Sequence, residues 1–148
     1  MEGKILIQEN NFDKARKQIQ ENSKSKIIFS GDDETNRKVL EKENIDVLLL
    51  NQAEKRDFHK QRNSGFNHVM AKIAKKKGIT IGINLDEIIS SSSVMRAAIL
   101  ARIKQNIRIC NKNKLKMKFI YKNQKRNILD LKSLGLVLGM PTWMIKDL

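Results

Sequence analysis

The order of residue types predicts a parallel α/β fold, with a sheet that either stays open or rolls into a shortened barrel. Three observations predict it. Short apolar runs recur at 4–8, 26–31, 45–51, 79–85 and 116–122. Each is followed by a stretch with helical spacing, so one strand–helix unit returns every 19 to 37 residues. The third run, "IDVLLLN", is apolar without alternation, as in strands of parallel sheets that are covered on both faces.

The elements follow in order. "KILIQ" (4–8) reads as a short strand, and "NFDKARKQIQENS" (11–23) as a helix opened by Asn10 or Asn11. "KIIFSG" (26–31) is a second strand. The helix "DDETNRKVLEKEN" (32–44) starts acidic, which suits the positive end of its dipole. After the strand 45–51 comes a loop, "QAEKRDFHKQ", then "RNSGFNHVMAKIAKKKG" (62–78) as the start and body of a helix closed by Gly78. "ITIGINL" (79–85) is a fourth strand. The serines 90–93 cap a long helix over roughly 93–112, "KMKFIYK" (116–122) is a fifth strand, and "NILDLKSLGLVLG" (127–139) a helix whose end Pro141 marks. An eight-fold barrel takes about 250 residues, so 148 residues form one domain over 1–148 with at most a shortened barrel.

Charge narrows the function. The chain carries a net charge of +14, which favours a polyanionic partner. The excess is one-sided. Residues 1–58 hold 11 Lys and Arg against 12 Asp and Glu, whereas residues 59–148 hold 19 against 4. Cys110 is the single cysteine, so no intrachain disulfide forms, and with His59 and His68 as the only histidines a structural zinc site is excluded. "MEGKILIQENN" lacks a basic-then-apolar targeting pattern and no apolar run reaches membrane-spanning length, so a soluble, cytoplasmic protein is expected.

In parallel α/β folds, ligands meet the carboxyl ends of strands and the amino ends of the following helices. Segment 62–68 occupies one such junction and Ser90–Arg96 another. Backbone N–H groups at a helix start, with Gly65 and Arg62, form a site for a phosphate oxygen; equally, Ser64 caps the helix and Asn63 holds a turn. His68 falls on the helix edge beside Lys72 and Lys75. Arg96 lies on the apolar stripe of the long helix, in a first turn whose dipole opposes it, which marks it either for an external anion or for an ion pair with Asp86 or Glu87. Arg102 and Asn106 border that stripe.

Enzyme signatures are thin: the chain has no P-loop, no GxSxG and no HExxH. The acidic run "GDDE" (31–34) reads as a helix cap before it reads as a Mg²⁺ site. A small phosphoesterase using Asp32, Asp33 and His68 around a metal, and a basic interaction protein that binds only other proteins, are the rivals to a nucleic-acid-binding role.

Three segments carry a resemblance. "GDDETNRKVLE" (31–41), "RNSGFNHVMAKIAKKKGITIGINLDEII" (62–89) and "RAAILARIKQNIRICNKNK" (96–114), in that order, resemble the archaeal ribonuclease P protein component 3 family, and the match covers most of residues 26–140. The resemblance implies a shortened TIM-barrel-like fold of the polymerase/histidinol-phosphatase kind in a protein that is not itself the catalyst. It implies that the RNA subunit, using Mg²⁺, removes the 5′ leader from precursor tRNA, with no cofactor bound by the protein. It also implies ribonuclease P RNA, protein component 2 and the other ribonuclease P proteins as partners, with precursor tRNA met indirectly. Asn36, Gly65 and the candidate RNA-binding residues Arg37, Arg62, Asn63, Ser64, Asn67, His68, Arg96, Arg102 and Asn106 are the positions that match the family pattern. The family is usually longer than this chain. Binding is expected to be directed by RNA shape, with affinity that falls steeply as salt rises.

Overall fold

The computed structural model describes residues 3–148; Met1 and Glu2, which open the segment read for a targeting signal, lie outside the described residues. The elements alternate as β1 (Lys4–Gln8), α1 (Phe12–Glu21), β2 (Lys26–Ser30), α2 (Asp33–Lys42), β3 (Val47–Leu50), α3 (His68–Lys77), β4 (Thr80–Asn84), α4 (Leu85–Ser90), α5 (Ser93–Lys112), β5 (Met117–Ile120), α6 (Ile128–Leu138) and α7 (Thr142–Lys146). Polar side chains start most of the helices where the sequence places them. Asn11, Asp32, Asn67, Ser92 and Asn127 each accept a bond from a backbone N–H inside the first turn. Gly78 and Gly139 close α3 and α6 in the left-handed conformation.

The five strands are all parallel and lie in the order β1-β2-β3-β4-β5. Sequential order with right-handed crossovers sends every connection over the same face. This is the strand order of a barrel wall, not of a doubly wound sheet, whose order reverses at a switch point. Among the described residues β1 and β5 remain unpaired with each other, so the wall is open at both edges.

Period-two alternation divides the strands between two apolar layers. Ile5, Ile7, Ile27, Phe29, Leu48, Leu50, Ile81, Ile83, Met117 and Phe119 pack into the large core with the helices. Ile28, Leu49 and Ile120, with Leu6 and Val47, form a smaller cluster on the opposite face. Gly82 belongs to that second layer. A Cβ there would stand 3.0 Å from Val47 and 3.1 Å from Ile120, so the neighbours already fill the space a side chain would need.

Three elements differ from the sequence expectation. The helix expected from 62 begins only at His68, because Asn67 caps it and 62–67 stay in the loop. The segment 85–90 folds as α4, because Asn84 caps Glu87 and the apolar Leu85 and Ile88 turn into the core. Pro141 does not end α6, which Gly139 already closes; it precedes α7, at a position where its missing N–H costs nothing.

Cys110 is fully buried, and burial pushes its thiol up to about 12. The folded protein is therefore expected not to react with a disulfide reagent at neutral pH until denaturant unfolds it. Fast stoichiometric labelling of the native chain would contradict this packing.

Candidate nucleic-acid interface

The carboxyl ends of the strands support a polar rim. The Asn51 amide donates to Ser30 Oγ at 2.8 Å, and the Asn84 amide donates to Asn51 Oδ1 at 2.8 Å, which ties the ends of β2, β3 and β4 together. Two adjacent carboxylates of α4 then hold the loops on either side. Glu87 accepts from the N–H groups of Gln52 and Ala53 at 2.8 and 3.2 Å, and burial raises its pKa. Asp86 accepts from Lys122 and Gln124 at 2.7 and 2.9 Å.

The loop from β3 to α3 has no regular structure and is fixed by side chains. Arg102, only 6% exposed, reaches from α5 and donates from Nε to Asp57 Oδ1 at 3.0 Å and from Nη1 to the Gln52 carbonyl at 3.1 Å. The Asn63 N–H also donates to Asp57 at 3.0 Å, and the buried Gln52 amide donates to the Ser64 carbonyl at 2.9 Å. Lys55 pairs with Asp33, and its partial burial lowers its pKa. Gly65, at φ 72°, lies against that pair: a Cβ there would sit 2.6 Å from Asp33 Oδ1 and 2.7 Å from Lys55 Nζ.

These contacts reassign several residues. Ser64 is buried in the loop and does not cap α3; Asn67 does, accepting from the Met70 N–H at 3.0 Å. With that N-terminus capped, and Gly65 donating its N–H to Asn63 Oδ1, the phosphate cradle expected at 62–68 is not formed. Arg96 meets neither an open anion site nor Asp86 or Glu87. It donates to the carbonyls of Ile88, Ile89 and Ser91 at 2.7, 3.0 and 2.9 Å. A cation there satisfies orphan carbonyls and complements the negative end of α4, so the dipole that disfavours Arg96 in its own helix favours it at the preceding one.

The remaining candidates divide by exposure. Asn106 is 3% exposed with its side-chain carbonyl unpaired among the described residues, and Asn36 is buried, accepting from the Gly31 N–H at 2.8 Å. Arg37 is exposed and bonded to Glu41 at 3.1 Å. His68 is exposed, with Nδ1 3.1 Å from the Asn113 amide. Arg62 is exposed on the loop with no ion pair among the described residues. The structure thus gathers Asn63, Ser64 and Arg102 into one framework, with Arg62 above it, and places Arg37 and Arg96 elsewhere.

Charge separates by face. The cleft at the carboxyl ends, about 1200 Å³, is lined by Glu9, Asp32, Asp33, Glu54, Asp57 and Glu87 against the cations Lys55 and Arg56, a poor receptor for phosphate. Helices α3 and α5 carry the opposite sign. Lys104, Arg108 and Lys112, at i, i+4 and i+8, form an exposed stripe on α5, and Lys72, Lys75 and Lys76 stand exposed on α3, which packs against it. None of the six is in an ion pair among the described residues. The sequence showed this positive excess but could not place it on the α3–α5 side. Among the described residues no three His, Cys, Asp or Glu side chains are gathered as metal ligands are, and no helix is long and apolar enough to cross a membrane.

The Asn63 N–H first, and then the Arg102 guanidinium, hold Asp57 below the usual carboxylate range. Its folded pKa is the lower one, so its anchoring is complete above about pH 3.9, the ordinary aspartate value, and is lost as pH falls through the folded value. The Asn63 amide resonance is expected to titrate with a midpoint below 3.9, the ordinary value. In Arg102→Met that midpoint should rise part of the way, since the larger cause remains. A midpoint at the ordinary value in the unaltered chain would show that the anchor is not formed.

No family profile matches the chain. Among curated proteins it is similar to ribonuclease P protein component 3 of Methanococcus vannielii, 28% identical over 104 residues, which are 70% of this chain and 42% of that protein. It is 31% identical over 86 residues to the protein of the same name from Methanosarcina mazei, covering 58% of this chain and 33% of the other. The chain spans less than half the length of these curated relatives. Among solved structures, a chain of "archaeal Ribonuclease P with mature tRNA" shares the fold with a TM-score of 0.77 at 19% identity, over 95% of this chain and 62% of that one. In sequence this chain therefore resembles the archaeal ribonuclease P protein component 3 proteins, and in fold a chain of archaeal ribonuclease P.

Proposed function

We propose that this chain is a protein subunit of ribonuclease P, one that supports the catalytic RNA while that RNA removes the 5′ leader from precursor tRNA. The observation that carries the reading is the exposed, unpaired cationic surface of α3 and α5, beside an acidic cleft that repels phosphate. Regularly spaced Lys and Arg on helices neutralise a folded RNA backbone without reading its sequence, which is the contribution of a scaffolding subunit. The likeness to proteins named as ribonuclease P components supports the same reading. Mg²⁺ chemistry belongs, in this proposal, to the RNA.

Protein partners are part of the proposal. Leu129, Leu136 and Val137 leave an exposed apolar row on α6, and such a row suits a protein neighbour. We assign that neighbour to component 2 or another ribonuclease P protein. The compartment that fits is the cytoplasm, where precursor tRNA is processed in cells without a nucleus.

Reconstitution tests the function. The cognate ribonuclease P RNA and its other protein subunits are assayed on precursor tRNA at low Mg²⁺, with and without this chain. Leader removal is expected to depend on the chain, and raising Mg²⁺ should reduce that dependence, because free cations then take over phosphate neutralisation. Cleavage that is unchanged by omission at low Mg²⁺ would overturn the proposal.

A further inference from the structure

The tip of the β3–α3 loop carries a feature that phosphate neutralisation does not use. Phe58 is 62% exposed, and every other Phe, Tyr and Trp among the described residues is buried or half-buried. An aromatic ring is costly to leave in water, so a chain with one exposed ring shows it where a partner can cover it. The ring is not loose. Phe58 and Gln61 form an isolated antiparallel bridge, with the Gln61 N–H donating to the Phe58 carbonyl at 3.1 Å, and Asp57 next to it is tied to Arg102 in the core.

The ring stands between the acidic cleft, which it also lines, and a second groove whose unengaged charges are cationic. Phe58 lines a shallow groove of about 590 Å³ together with Asp57, Lys60, Gln61, Arg62 and Gln105. The carboxylate of Asp57 is engaged by Arg102 and the Asn63 N–H, which leaves Lys60 and Arg62 as the free charges. Lys60 takes φ 62°, in the left-handed region that Gly or Asn occupies with less strain. A lysine held there keeps a charge beside the ring where the backbone alone would favour glycine.

Resting on the ribonuclease P reading, we propose that Phe58 is a stacking platform for one unpaired nucleotide of RNA, with Lys60 and Arg62 on the adjoining phosphates. Gln61 lines the same groove, and the Gln105 amide beside it lies 3.5 Å from Ser64 Oγ. Stacking on an exposed ring with cations on the flanking phosphates is the chemistry by which proteins take single-stranded RNA. A paired strand cannot use it, because its bases already stack on one another. The tip and the α3–α5 surface therefore divide the work: the helices neutralise folded RNA and the tip engages a nucleotide that leaves the helix.

The test measures binding of the full chain to a short fluorescein-labelled single-stranded RNA and to a blunt duplex of the same sequence, at low salt. Phe58→Ala is expected to weaken single-strand binding by about tenfold, within the range for loss of one stacked base, and to leave duplex binding unchanged. Phe58→Tyr should restore the single-strand affinity. If Phe58→Ala binds both probes as the unaltered chain does, the stacking proposal is overturned while the cationic reading stands, and the tip then serves a protein. If the unaltered chain binds neither probe, both readings fall.

Discussion

One buried cation holds the functional end of this molecule together. Arg102 stands in the core layer of α5, a place a guanidinium occupies only when its donors are used, and here they go to the Gln52 carbonyl and the Asp57 carboxylate. That contact adds to the bonds from Gln52 and Ala53 to Glu87 and to the Lys55–Asp33 pair, which together offset the entropy of ordering a long segment without regular structure. With it, Asn63, Ser64 and Gly65 settle into the bonds that deliver the chain to Asn67, the cap of α3. The burial of Met70, Ala71 and Ala74 then seats α3, and so its lysines, against the core.

The fold gives that arrangement its direction. A sheet whose strands run parallel and in sequential order brings every strand end to one rim and every helix to one face. The rim here is acidic and the exposed faces of α3 and α5 are basic, so the two surfaces suit partners of opposite charge. Acidic side chains on the rim are structural. Asp86 and Glu87 stand next to each other in α4 and each holds a different neighbouring loop by its backbone N–H groups. Carboxylates spent on scaffolding leave Lys72, Lys75 and Lys76 of α3 and Lys104, Arg108 and Lys112 of α5 without a carboxylate partner among the described residues.

Much of the fold was legible in the sequence because its signals are local. Apolar runs of strand length, and cap residues such as Asn11, Asp32, Ser92 and Gly78, act within one turn of where they stand. The short helix α4 was missed since six residues show less than two turns of periodicity and follow a strand without a break. The candidate site was legible as a place but not as a set of roles. Arg96 looks misplaced along its own helix and becomes favourable only against the end of α4, a relation between two elements that no spacing records. Ser64 was read as a helix cap and Arg102 as bordering the apolar stripe, and their partners lie across the loop at Gln52, Phe66 and Asp57. Phe58 was passed over because exposure of a ring is a property of the folded loop.

The central claim is that the α3–α5 face neutralises RNA phosphates. It is tested most directly by the salt dependence of binding to the cognate ribonuclease P RNA, comparing the unaltered chain with a variant in which Lys104, Arg108 and Lys112 are all alanine. These side chains are exposed and unpaired, so the fold is expected to persist. The variant is expected to bind more weakly, with a logarithmic salt slope that is shallower by about 2 to 3, close to 0.9 per lost phosphate contact. An unchanged affinity with an unchanged slope would contradict it and move the RNA contact away from this face.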